Sequence, residues 1–164
     1  MTLADLNAAD QNGFVDAIGW IFEHSPWVAE RAWPRRPFAS AAELLAVMTE
    51  TMAAADRQEQ IALLRAHPDL GTRARMSDAS AGEQTGAGLD RLSAADFNRL
   101  QALNRAYRDK FGFPFLYAVK GSTAQDIMAA LERRIDSDHD AEFDEALRQV
   151  ARIAGFRLNE VVQK

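Results

Sequence analysis

Apolar residues return every three or four positions along most of this chain, in blocks that open with the same kind of signal. Ser40-Ala41-Ala42-Glu43, Asp56-Arg57-Gln58-Glu59, Ser80-Ala81-Gly82-Glu83, Ser93-Ala94-Ala95-Asp96 and Thr123-Ala124-Gln125-Asp126 each set a capping oxygen ahead of an acid. That spacing satisfies the free amides of a helix's first turn. Behind these starts come Leu44, Leu45, Val47, Met48 and Met52, then Ile61 and Leu64. Phe97, Leu100, Leu103 and Tyr107 follow, then Ile127, Leu131 and Ile135, all at helical spacing. No segment sustains a period-two alternation and no block repeats another. The pattern predicts an all-α chain of about seven to nine helices without a sheet. It reads as a single domain over residues 1–164.

The breaks are as legible as the blocks. Pro26 suits the first turn of a short helix running toward Trp33, and Pro34-Arg35-Arg36-Pro37 then interrupts the chain. The stretch from Gly71 to Leu92 holds four glycines and few large apolar residues. It is expected to be the most irregular and exposed part, with a short helix opening at Ser80, and the place for a lid or site loop.

Composition narrows the function classes. Nineteen basic against twenty-four acidic residues leave a net charge of −5, which argues against nucleic acid or an anionic membrane surface as partner. There is no cysteine, hence no disulfide framework, thiolate metal site or thiol nucleophile. No apolar run approaches the ~18 residues of a membrane span. The first residues lack the basic start of a secretory signal, and Val161-Val162-Gln163-Lys164 is no peroxisomal address. The expected location is cytoplasmic.

Four features exceed what a plain helical bundle needs. His67-Pro68-Asp69-Leu70-Gly71 sets an imidazole where a helix from about Asp56 must stop, because proline disfavours helical geometry in the residue before it. The negative end of a helix dipole favours a protonated imidazole, so His67 is a general acid or base, or else simply a helix C-terminal residue. His24, before Ser25-Pro26, reads as the second kind. Glu83 fits a capping box with Ser80, yet Glu83-Gln84 also pairs a carboxylate with an amide that share one ligand's donors and acceptors. Arg157 takes the next place in the final helix's stripe of Phe143, Leu147, Val150, Ala154 and Val161. A guanidinium there needs an anion, from the protein or from a ligand, unless it snorkels outward.

The fourth feature is Phe111-Gly112-Phe113-Pro114-Phe115, three aromatics and two helix breakers, continued by Leu116, Tyr117 and Val119. It reads as a buried connection between helices. A buried connection must satisfy its backbone groups somewhere, and amides lining a cavity suit a flat, polar heterocycle. Other constellations fail. Asp136, Asp138 and Asp140 alternate as in a calcium loop, but Ala141 stands at the glycine position and Leu147 at the terminal glutamate. The three histidines lack metal-ligand spacing, and no phosphate loop or nucleophile elbow is present. Arg31, Arg35, Arg36, Arg73 and Arg75 read as solvated faces.

Taken in order, these residues resemble the 2-oxo-4-hydroxy-4-carboxy-5-ureidoimidazoline (OHCU) decarboxylase family. The matching pieces are Ser25-Pro26-Trp27, Arg36-Pro37-Phe38, His67-Pro68-Asp69-Leu70-Gly71 and Ser80-x-x-Glu83-Gln84-x-x-Ala87-Gly88-Leu89. Asn104-x-x-Tyr107, Phe111-Gly112-Phe113-Pro114-Phe115 and Arg157-Leu158 complete them, spanning nearly the whole chain. The resemblance implies an all-helical homodimer without a cofactor or metal, completing conversion of urate to (S)-allantoin. It implies functional coupling to a urate oxidase and a hydroxyisourate hydrolase. It also implies that His67 is the catalytic histidine, Glu83 the second acid-base or orienting group, and Arg157 the carboxylate partner. Pro68, the segment Ser80, Ala81, Gly82, Glu83 and Gln84, and the segment Phe115, Leu116, Tyr117, Ala118 and Val119 match positions lining the substrate pocket. The alternatives are a noncatalytic helical ligand-binding module of the same fold, and an enzyme acting on another ureido or imidazoline acid.

Overall fold

Four of the expected caps start their helices. Ser40, Asp56, Ser93 and Thr123 each accept a hydrogen bond from the amide three residues on, at 3.1, 2.8, 3.1 and 3.2 Å. The structure is a computed structural model that describes residues 1–72 and 76–163. Arg73 and Arg75, expected on a solvated face, lie outside the described residues. Nine α-helices occur among the described residues, with no strand beyond a single isolated bridge between Thr2 and Gln163. The all-α expectation is met, and no described helix is long and apolar enough to cross a membrane.

The chain forms two compact units, Met1–Ala66 with Val150–Lys164, and His67–Gln149. The first holds α1 (Leu3–Ala8), α2 (Gln11–Ile18), α3 (Trp27–Ala32), α4 (Ala41–Ala54), α5 (Arg57–Arg65) and the last part of α9 (His139–Val161). Pro26 sits at the N-cap of α3, where a missing amide costs nothing, and a 3₁₀ turn over Trp33–Arg35 follows. Phe14 and Phe38 stack at 6.2 Å in a core that includes Ile18, Phe22, Leu44, Met48 and Met52.

The second unit holds α6 (Asp78–Gly86), α7 (Ala94–Phe111), α8 (Ala124–Arg134) and the first part of α9. Gly112 ends α7 in the left-handed region at φ +80°, its amide donating to the Arg108 carbonyl at 2.8 Å. Beyond it, Phe111, Phe113, Phe115 and Tyr107 gather into one aromatic cluster, with Tyr107 edge-on to Phe115 at 5.3 Å.

Three expectations need correction. α6 opens at Asp78, not Ser80: Ser77 is the cap and accepts from the Ser80 amide. Ser80 therefore lies inside the helix, and Glu83 is not at a capping position. The stretch from Gly71 to Leu92 is also less exposed than its glycines suggest, since Ser80, Gln84, Ala87 and Leu89 are buried. Finally, the buried lines are displaced in places: Gln60 and Leu63 are buried and Ile61 only partly so, and Arg134 is buried where Ile135 was expected.

Candidate active site

The second unit brings most of the predicted site residues onto one scaffold. α5 ends at Arg65 with Ala66 as its cap, so His67 opens the loop that follows, as the proline rule requires. His67 is 7 % exposed and Leu70 is buried with it. Side chains from two helices pin this loop. From α6, Gln84 Oε1 accepts the Gly71 amide at 2.8 Å, and its Nε2 reaches the Asp69 carbonyl at 3.5 Å. From α7, Asn104 Nδ2 donates to the Leu70 carbonyl at 2.8 Å, and Gln101 Nε2 to the Gly71 carbonyl at 3.4 Å. An Arg108–Asp69 ion pair at 2.8 Å closes the set.

Gly71 explains itself in this setting. Its φ is +72°, and a Cβ there would lie 2.5 Å from Leu100 Cδ2. Only glycine combines the left-handed turn with so close an approach to α7.

On α6, Ser80 and Gln84 are buried four residues apart on one face, with Glu83 half-buried beside Gln84. Ala81 and Gly82 are exposed, and a Cβ at Gly82 would meet nothing within 4 Å. Of the five α6 residues named from the sequence, Ser80, Glu83 and Gln84 thus turn inward. Gln84 spends its amide on the loop backbone.

α7 is the spine between the two walls. Asn104 holds the loop of His67, and Tyr107, three residues on, packs against Phe113 and Phe115. The segment from Phe115 to Val119 is irregular, and four of its five residues are buried. Arg134 Nη1 donates to the Leu116 carbonyl at 2.6 Å, and Gln149 Oε1 accepts the Ala118 amide at 2.9 Å. Arg134 Nε donates to Glu142 Oε1 at 2.8 Å, and the Tyr107 hydroxyl donates to that same oxygen. Burial, and then the hydrogen bond to Glu142, push the Tyr107 phenol far above its ordinary range, so it stays neutral.

Arg157 belongs to the first unit. It is 2 % exposed, with Nη2 2.9 Å from Glu23 Oε2 and Nη1 3.2 Å from the Ile21 carbonyl. The anion that its place on a buried line demanded is supplied in the structure by Glu23, itself 1 % exposed. His24 is the exposed neighbour, at φ +46°.

Sequence reasoning missed Arg134, Glu142, Gln149 and Glu23. One signal was available: Arg134 follows Ile127 and Leu131 at spacings of four and three, the same arginine-on-an-apolar-stripe pattern that singled out Arg157. Among the described residues no His, Asp and Glu group could hold a metal ion.

The OHCU decarboxylase family model matches residues 7–159. A 2-oxo-4-hydroxy-4-carboxy-5-ureidoimidazoline decarboxylase of Halalkalicoccus jeotgali is 50% identical over 161 residues, covering 98% of this chain and 92% of that protein. The uric acid degradation bifunctional protein PucL of Bacillus subtilis is 47% identical over 161 residues, 98% of this chain but 33% of that protein. Among solved structures, a crystal structure of (S)-allantoin synthase superposes with a TM-score of 0.83 at 31% identity. It covers 99% of this chain and 54% of the solved one.

Proposed function

Because this chain belongs to the OHCU decarboxylase family, we propose that His67 and Glu83 carry its reaction between the pinned loop, α6 and the 115–119 segment. The chain is a carboxy-lyase acting in urate degradation, converting the ureidoimidazoline to (S)-allantoin. The observation that carries the residue assignment is the Gln84–Gly71 hydrogen bond at 2.8 Å. It ties the helix bearing Ser80 and Glu83 to the loop bearing His67.

The chemistry suits side chains of this kind. The substrate's carboxylate sits on a carbon next to a ring C=N bond, so the molecule holds its own electron sink. As the bond to the carboxylate breaks, its electron pair forms a ring C=C, and the former C=N pair moves to nitrogen, which takes one proton. The hydroxyl on the same carbon then releases a proton to become the carbonyl, and the neighbouring carbon takes one from a single face. The net uptake is one proton, in exchange for carbon dioxide. His67, with Glu83, manages the hydroxyl and ring protons. Pro68, Ser80 and the Phe115–Val119 segment orient the ring and exclude water, so that protonation is one-sided. Arg157, whose guanidinium pairs with Glu23 in the structure, is proposed separately as the carboxylate partner, on the resemblance of Arg157-Leu158 to the family.

His67→Ala and Glu83→Gln are each expected to lower kcat by about 10²-fold or more, with the far-ultraviolet spectrum and melting temperature unchanged. Near wild-type turnover by folded His67→Ala would overturn the assignment. We also propose that the protein acts as a cytoplasmic homodimer, coupled to a urate oxidase and a hydroxyisourate hydrolase that supply its unstable substrate. Sedimentation at working concentration checks the dimer.

A further inference from the structure

We propose that Arg134, Glu142 and Gln149 are positioning residues for this reaction, gripping the 115–119 backbone from one side and so turning the Tyr117 amide and carbonyl and the Val119 amide toward the substrate. The proposal rests on the reading of that segment as a substrate-binding wall. An irregular buried segment must find partners for its amides and carbonyls outside itself. Here the Leu116 carbonyl goes to Arg134 at 2.6 Å and the Ala118 amide to Gln149 at 2.9 Å. The Val119 carbonyl accepts the Ser122 amide at 3.0 Å. The amides of Tyr117 and Val119 and the Tyr117 carbonyl make no hydrogen bond among the described residues. In an extended stretch, residues two apart present their main-chain groups on the same side and the alternate ones on the other. On this proposal, gripping residues 116 and 118 leaves the Tyr117 amide and carbonyl and the Val119 amide on the opposite side, available to a heterocycle rich in N–H and C=O groups.

The grip is itself held in one arrangement. Arg134 Nε and Nη2 lie 2.8 and 2.5 Å from Glu142 Oε1, and its guanidinium lies 4.5 Å over the Phe115 ring. The Tyr107 hydroxyl donates to the same carboxylate oxygen. Gln149 is fixed from behind, its Nε2 donating to Glu145 Oε1 at 2.8 Å. Well-packed apolar side chains would fill a buried ion-pair site at least as stably. What they would not do is hold the Leu116 carbonyl in place.

Arg134→Lys keeps the charge that faces Glu142 but loses the planar fork that reaches both groups. Gln149→Met keeps the volume and removes the acceptor for Ala118. Each variant is expected to raise KM by about tenfold or more, the loss of one or two well-placed hydrogen bonds, with a smaller change in kcat. Each is also expected to speed amide hydrogen exchange in residues 113–121, without substrate, while the rest of the chain keeps its protection. A merely structural role would lower the melting temperature and leave the KM of the folded fraction alone. Folded variants with wild-type KM and wild-type exchange at 113–121 would overturn the proposal. Should Arg134→Lys fail to fold, Gln149→Met, which removes no charge, decides by the same two readouts. If the wild-type protein does not turn over the ureidoimidazoline, the functional reading fails first and takes the substrate-facing part with it. Exchange then rules on the grip alone.

Discussion

Single residues do most to define this site, and their effects separate by mechanism. Gly71→Ala must displace Leu100 Cδ2 from 2.5 Å and hold φ at +72°. It is expected to cost about 1–3 kcal/mol in urea unfolding, together with lost turnover as the His67 loop shifts. Tyr107 gives a pH signature. Its phenol is held neutral far above the ordinary value of 10.0, chiefly by burial and then by Glu142. The stability tied to that shift is intact below pH 10, and it falls as the pH rises beyond it and the unfolded chain alone ionises. Wild-type protein should therefore lose stability above pH 10 more steeply than Tyr107→Phe, as followed by thermal melts from pH 8 to 11. At this scale the sequence was readable wherever a residue broke a pattern: His67 at a forced helix stop, Arg157 on an apolar stripe. Glu142 escaped because it lies beside Phe143 in an otherwise charged first turn of α9, where an acid is the ordinary choice for a helix N-terminus. Nothing in the sequence says that it turns inward.

At the scale of elements, caps and breakers placed most helix ends. Asp56 starts α5, Ser93 starts α7, Thr123 starts α8 and Gly112 stops α7. α6 went astray because Ser77 and Ser80 both offer a hydroxyl at the right distance from an apolar run, and only tertiary context picks the earlier one. The α8 capping box permits a direct test. Hydrogen bonds from the Thr123 backbone and then its side chain hold Asp126 below its ordinary value of 3.8. That contribution is present above pH 3.8 and is lost as the pH falls through the depressed folded value. Asp126→Asn should thus melt below wild type at pH 6, and the gap should close as the pH is lowered through 3.8 and beyond. In α6, Gly82 sits in mid-helix with open space around its missing Cβ. Gly82→Ala is expected to stabilise by about 0.5–1 kcal/mol, since the chain loses unfolded-state freedom without a clash. Chemical denaturation checks that sign.

For the molecule as a whole, each unit carries its own buried charge pair, Arg157 with Glu23 in the first and Arg134 with Glu142 in the second. Such pairs resist piecemeal change: removing Glu142 alone strands a guanidinium and is expected to cost about 3–5 kcal/mol. The order of motifs revealed the family from sequence, because its separate pieces follow one another over nearly the whole chain. The ties within the second unit were not readable, since Asn104, Gln84 and Gln149 act on backbone groups many residues away, and sequence spacing carries no trace of such reach. The most direct measurement of the central claim is stereochemical. Urate oxidase and hydroxyisourate hydrolase generate the ureidoimidazoline in the cuvette, this protein is added, and circular dichroism follows the product. Rapid growth of an (S)-allantoin signal above the slow racemic background, abolished in His67→Ala, is the result expected here. Racemic product at the spontaneous rate from folded wild-type protein would contradict it.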